Sequence, residues 1–171
     1  PFDMRIRVAL AQVLVQGNMK DEAVKALTSR DTPDHYTRKD ALLSLGSFCA
    51  QTGNIAQAAA IYDELGRMDP KNLDILVNQA AAASQRDDLP TMKRCLDRAL
   101  ALNPDSVLAV TNMGNYYAKQ NQPAKAQKWF LKAAELDPQS PFAHIGAGIQ
   151  SVRLKQMDKA VEHLTQTDAE T

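Results

Sequence analysis

Aromatic side chains are scarce in this sequence, at 5% of residues with a single tryptophan. A core cannot then rest on stacked rings. It must be assembled from Ala, Leu, Val, Ile and Met, in a chain whose apolar residues reach 44%. Small Ala contacts let backbones approach closely, which suits helices packed on helices. Excess charge is missing too: Lys plus Arg and Asp plus Glu number 20 each, for zero net charge. No basic surplus is available to neutralise a phosphate backbone, so nucleic acid is not an expected partner. A polybasic hold on a membrane surface is equally unsupported.

Cysteine is nearly absent. Cys49 and Cys95 lie 46 residues apart and neither belongs to a C-x-x-C pair, which argues against zinc. They read as small, half-buried thiols on helices. No stretch approaches the ~20 apolar residues that span a bilayer, and the longest near-continuous run, Val8 to Val15, is interrupted by Gln12. Direct membrane insertion by this segment is therefore not expected. No signal-peptide pattern opens the chain. It starts at Pro1 rather than Met, so we expect it to be part of a longer protein. Its compartment, cytoplasmic or bacterial periplasmic, is left open.

What the sequence does contain is a period. Pro70, Pro104 and Pro138 are each 34 residues apart, in Met68-Asp69-Pro70, Leu102-Asn103-Pro104 and Leu136-Asp137-Pro138. A proline just past an apolar-periodic run is a helix stop, so each closes one unit and opens the next. Within a unit the pattern splits in two. Val107 to Lys119 reads as one amphipathic helix, with Val110, Met113 and Tyr117 on its stripe. Asn121-Gln122-Pro123 breaks it, and Pro123 suits the first turn of the next helix, where its missing N–H is no loss. That helix runs from about Ala124 to Leu136, with Ala126, Phe130 and Ala133 inward.

The plan recurs along the chain. Lys39 to Gln51 places Leu42, Leu45 and Cys49 inward, Gly53-Asn54 turns, and Ala58, Tyr62 and Leu65 follow. The next unit pairs Leu76, Gln79 and Ala83 with Met92, Leu96 and Ala99 across Asp87-Asp88. The last pairs His144, Ala147 and Ser151 with Ala160 and Leu164, on a final helix Lys155 to Thr167. A degenerate first unit turns at Gly17-Asn18 before Ala23 and Leu27, and the polar break at 31–35 reads as a longer connection. The units span about 2–30, 39–70, 73–104, 107–138 and 141–167, in a single domain of five hairpins, with no strand pattern.

Val110, Met113-Gly114, Tyr117, Ala126, Phe130, Ala133 and Pro138 fall at the spacings of the tetratricopeptide repeat signature. Leu42, Leu45-Gly46, Ala58, Tyr62 and Pro70 do so again. The third unit departs from it at Gln79-Ala80 and Ala83, and the last at His144. The sequence resembles that family over nearly its whole length. The resemblance implies an all-α, right-handed superhelical solenoid of helix-turn-helix hairpins that acts as a non-catalytic protein-protein interaction scaffold. Gly46, Gly114 and Gly148 would make room where the two helices of a hairpin come closest, and hairpins must stack because none buries its apolar faces alone.

The chemistry of an enzyme is not apparent. His35, His144 and His163 are scattered, with no H-E-x-x-H spacing, and there is no G-x-S-x-G or glycine-rich phosphate loop. Asp87-Asp88 is better read as a helix-capping turn than as a metal pair. No cofactor or metal is expected. In the family, a peptide or protein segment lies against the inner face of the first helix of each hairpin. Here that face would offer Asp40, Leu43, Ser44, Ser47 and Gln51, then Asp74, Val77, Asn78, Ala81 and Gln85, then Leu108, Thr111, Asn112, Asn115 and Lys119, then Phe142, Ile145, Gly146, Ile149 and Arg153. Asn78 and Asn112 are 34 residues apart, and a carboxamide can pair with a peptide backbone without reading side chains. Lys119 and Arg153 would favour an acidic residue at one end, too few cations for a carboxylate clamp of the chaperone-binding kind. Two alternatives remain: a structural assembly module of a bacterial pilus, secretion or envelope system, self-associating through an uncapped last helix that exposes Ala160, Val161 and Leu164, or a regulatory domain of a larger enzyme.

Overall fold

The computed structural model describes residues 4–28 and 37–165. Among them are ten α-helices and no strand. The chain divides after Asp87 into two compact units. The first holds α1 (Met4–Gln16), α2 (Lys20–Thr28), α3 (Arg38–Gln51), α4 (Ile55–Met68) and α5 (Leu73–Gln85). The second holds α6 (Leu89–Leu102), α7 (Val107–Lys119), α8 (Pro123–Leu136), α9 (Pro141–Arg153) and α10 (Met157–Thr165). In the first unit α1 packs on α2, α3 on α4, and α4 on α5. In the second, α6 packs on α7, α7 on α8, α8 on α9, and α9 on α10. The break expected at 31–35 and the last two residues of the expected final helix lie outside the described residues.

Local chemistry sets each helix boundary. Asn54, Asn72, Asp88 and Ser106 precede α4, α5, α6 and α7, and each side chain accepts a hydrogen bond from the N–H three residues on, satisfying a donor the helix cannot. Thr37 and Asp40 form a reciprocal capping box at α3. The Asp87-Asp88 pair divides its labour: Asp88 Oδ1 accepts from the Thr91 N–H at 3.1 Å, and Asp87 takes φ +58°.

That left-handed residue recurs. Gly53, Asp87, Asn121 and Lys155, spaced 34 apart, have φ of 79°, 58°, 54° and 60°. Around them the chain closes Schellman bonds, with the N–H of Asn54, Gln122 and Gln156 donating to the carbonyls of Cys49, Tyr117 and Ser151. The proline stops behave alike as well. Asp69, Asn103 and Asp137 end α4, α6 and α8, each donating its N–H to the carbonyl four residues back at 2.9 Å.

The core follows the period. Leu42, Leu45, Cys49, Ala58, Tyr62, Leu65, Leu76, Met92, Leu96, Ala99, Val110, Met113, Ala126, Phe130, Ala133 and Ala147 are buried. Neither cysteine is held in a disulfide among the described residues, and both are fully buried rather than half-buried; burial pushes the Cys49 thiol pKa up. Three residues expected inward, Gln79, Tyr117 and Leu164, are not fully buried. Tyr117 is half-buried, with its ring under the Lys125 ammonium. Its neighbour Tyr116 goes inside instead, its hydroxyl accepting from Gln120 Nε2 at 2.7 Å. Leu164 stays 38% exposed, whereas Ala160, expected on the exposed face of the same helix, is buried.

A Cβ added to Gly46 would lie 3.0 Å from the Tyr62 ring, one on Gly114 2.8 Å from Phe130, and one on Gly148 2.7 Å from Leu164. Each glycine thus makes room for a side chain of its own hairpin's second helix. Hairpins also lock to the helix that follows. A Cβ on Gly146 of α9 would come within 2.5 Å of the Phe130 ring, so Phe130 lies between two glycines on different helices. Gln127 of α8 adds a polar link, donating to Ser151 Oγ at 2.8 Å and to Gln156 Oε1 at 3.1 Å.

Candidate functional site: a groove over α7 and α9

In the second unit α7 and α9 meet directly, with α8 behind them. The twin-glycine approach to Phe130 draws these helices together and leaves its ring as the floor of an open groove of about 620 Å³. The α7 wall carries Val107, Leu108, Thr111, Asn112 and Asn115. The α9 wall carries Phe142, Ile145 and Ile149, and the α8–α9 loop closes one end with Asp137, Gln139 and Ser140. Four large apolar side chains here face solvent: Leu108 at 64% exposure, Phe142 at 75%, Ile145 at 41% and Ile149 at 47%. Leaving such surface wet forgoes roughly 25 cal/mol per Å².

The polar groups in the groove are mostly uncharged. Asn115 Nδ2 donates to Asn112 Oδ1 at 3.5 Å, a long bond that leaves the Asn112 amide N–H groups and the Asn115 carbonyl for other partners. Asp137 is the single charged residue in the lining. Its Oδ1 accepts from the Gln139 N–H at 3.1 Å, the turn expected of an Asx side chain after a helix.

Of the residues singled out from sequence, Leu108, Thr111, Asn112, Asn115 and Ile145 are brought together in this groove. Phe142, Gly146 and Ile149 join them. Lys119 and Arg153 stand at the C-terminal ends of their helices, outside the lining. Asp40, Leu43, Ser44, Ser47 and Gln51 lie on α3, and Asp74, Val77, Asn78, Ala81 and Gln85 on α5, of the first unit; Val77 is only 7% exposed and packs rather than presents. Sequence reasoning treated Phe130 as core alone and passed over Asp137. Phe130 is core and also floor. The signal for Asp137 was its place just before a proline stop, read only as punctuation.

Two profiles described as tetratricopeptide repeat match the sequence, one over residues 8–72 and the other over residues 107–140. The chain belongs to the tetratricopeptide repeat family. Among its relatives is the TPR repeat-containing protein PA4667 of Pseudomonas aeruginosa, 25% identical over 90% of this chain and 26% of that protein. Another is the human protein O-mannosyl-transferase TMTC3, 28% identical over 56% of this chain and 11% of its own length. The chain thus spans about a quarter or less of these relatives, and their activities do not transfer with the match. Solved structures agree on the tetratricopeptide fold. MamA from Desulfovibrio magneticus RS-1, residues 41 to the end, superposes with a TM-score of 0.71 at 19% identity, covering 98% of this chain and 97% of that one. YrrB, described as a TPR protein with an unusual peptide-binding site, superposes with a TM-score of 0.64 at 20% identity, covering 96% and 84%.

Proposed function

We propose that this tetratricopeptide chain is a non-catalytic interaction scaffold, and that the groove over α7 and α9 binds a peptide or protein segment. The observation that carries this reading is the exposure of Leu108, Phe142, Ile145 and Ile149 around a preformed hollow, beside two asparagines with donors and acceptors to spare. An apolar hollow with a few convergent polar groups is the usual form of a binding site. Apolar side chains of the ligand would seat on Phe142 and Ile145, and Asn112 and Asn115 would pair with its backbone.

A selection from a library of random linear peptides, followed by titration of the winners, tests this. Phe142→Ala removes an exposed ring and should leave the thermal melt unchanged while weakening the selected peptides about tenfold or more, as loss of an aromatic anchor does. Equal affinity for both proteins would move the site off this groove. A second reading has its own observation: Met157 at 59% exposure and Val161 at 62% lie on α10 with Leu164. Self-association through that helix, as an assembly module would require, predicts a concentration-dependent rise in mass that Val161→Asp abolishes.

A further inference from the structure

The loops that follow α4 and α8 are copies of one another, yet their carboxylates are treated differently. Asp69 ends α4, and Lys39 of α3 reaches it with an ammonium-to-Oδ2 ion pair. Lys39 holds the Asp69 carboxyl below the ordinary carboxylate range. One period pair later, Asp137 ends α8 in the same way, with the same backbone bond to the carbonyl four residues back. The residue standing to Asp137 as Lys39 stands to Asp69 is Val107, 30 positions earlier in both cases. Valine cannot supply a charge. Asp137 Oδ2 accepts no hydrogen bond and forms no ion pair among the described residues. Both Val107 and Asp137 line the groove. In the intervening copy the problem does not arise, because the residue is the neutral Asn103, opposite Leu73.

We propose that the ligand of this groove is a basic-apolar peptide, whose Lys or Arg side chain takes at Asp137 the place that Lys39 takes at Asp69, while its apolar side chains cover Phe142 and Ile145. The proposal rests on the groove being the peptide site and adds the chemistry of its occupant. It reverses the preference for an acidic residue drawn from Lys119 and Arg153, since neither lines the groove and the charge that does is negative. A half-buried carboxylate beside apolar walls attracts a cation more strongly than one in open water. It also penalises an acidic ligand, so the groove discriminates by repulsion as well as attraction.

The same peptide selection decides the matter when run in parallel on the wild-type chain, Asp137→Asn and Phe142→Ala. The asparagine variant keeps the fold, because Asn103 already fills the equivalent place and accepts from the Asp105 N–H at 3.0 Å. Wild type should enrich Lys or Arg next to an aliphatic or aromatic residue, and a winning peptide should lose about three- to tenfold in affinity when its basic residue becomes Gln. Against Asp137→Asn that loss should vanish, and the affinity of the Gln peptide should not change. Peptides that depend on Phe142 but show no basic preference, or an acidic one, overturn this inference and leave the groove as the site. A selection that yields no peptide sensitive to Phe142→Ala overturns both.

Discussion

The hairpins α3–α4 and α7–α8 have the same interior and opposite surfaces. In each, a glycine on the first helix faces an aromatic ring on the second, Gly46 with Tyr62 and Gly114 with Phe130. Around the first, charge is closed on itself: Glu64 accepts from Lys20 and from Arg38, both at 2.6 Å, and Asp69 from Lys39. Around the second, Leu108 is bare and Asp137 keeps an open oxygen. The repeat constrains what lies between its helices and leaves the outside to diverge. Differences between copies therefore point to function, and agreement between them points to folding.

The sharpest test of that division compares the two rings. Phe130→Ala should cost ~3–5 kcal/mol of stability and also remove peptide binding, because the ring is both core and groove floor. Tyr62→Ala should cost a similar amount and, in protein kept folded by cooling, leave binding intact. Thermal melts paired with titration of a selected peptide would show it. Binding lost equally in both variants would break the comparison.

Next in size is the close approach itself. Gly114→Leu forces a side chain into a space where the first carbon alone already meets Phe130 at 2.8 Å, and overpacking of this kind costs ~1–3 kcal/mol. An unchanged denaturation midpoint would mean that the helices can part without penalty.

The turns offer a reciprocal pair. Gly53 and Lys155 occupy the same repeat position with φ of 79° and 60°, and a left-handed backbone costs an L side chain ~1–2 kcal/mol that glycine avoids. Lys155→Gly should raise the melting temperature and Gly53→Lys should lower it, each by an amount worth about 1 kcal/mol. Shifts of the same sign would show that local context outweighs backbone strain.

The smallest effect is electrostatic and confined to the first unit. The hydrogen bond from Lys20, aided by Arg38, holds the Glu64 carboxyl below its ordinary range. A depressed carboxylate contributes stability that is fully present above its unfolded pKa and is lost as pH falls through the folded value. Wild type should therefore lose more stability than Glu64→Gln between neutral pH and about pH 3, below the ordinary glutamate range. Parallel pH profiles for the two proteins would remove Glu64 from the account.

Much of the fold was legible because a proline acts through its own backbone, which sequence spacing records directly, whereas Lys155, expected as the first residue of the last helix, is instead the left-handed turn residue before α10. Pro70, Pro104 and Pro138 placed the hairpins, and the 3.6-residue stripe placed Leu42, Leu45, Met113 and Phe130 inside. Legibility failed where three dimensions decide. Tyr116 and Tyr117 are neighbours with similar claims to the interior, and periodicity could not say which ring Lys125 would cover. The contact of Gly146 with Phe130 joins helices of successive hairpins. The role proposed for Asp137 depends on what is absent 30 residues earlier, at Val107, and a missing partner leaves no motif.

The clasp of Phe130 by Gly114 and Gly146 bears on how such a surface can evolve. Any substitution at the floor must satisfy two helix contacts before it can alter what the groove holds, so drift there is filtered by folding first. Leu108, Phe142 and Ile149 on the rim answer to no such constraint. New ligand preferences in proteins of this build should therefore arise by exchanging rim residues over an unchanging base, and comparison of sister sequences should find variation concentrated in that ring of positions.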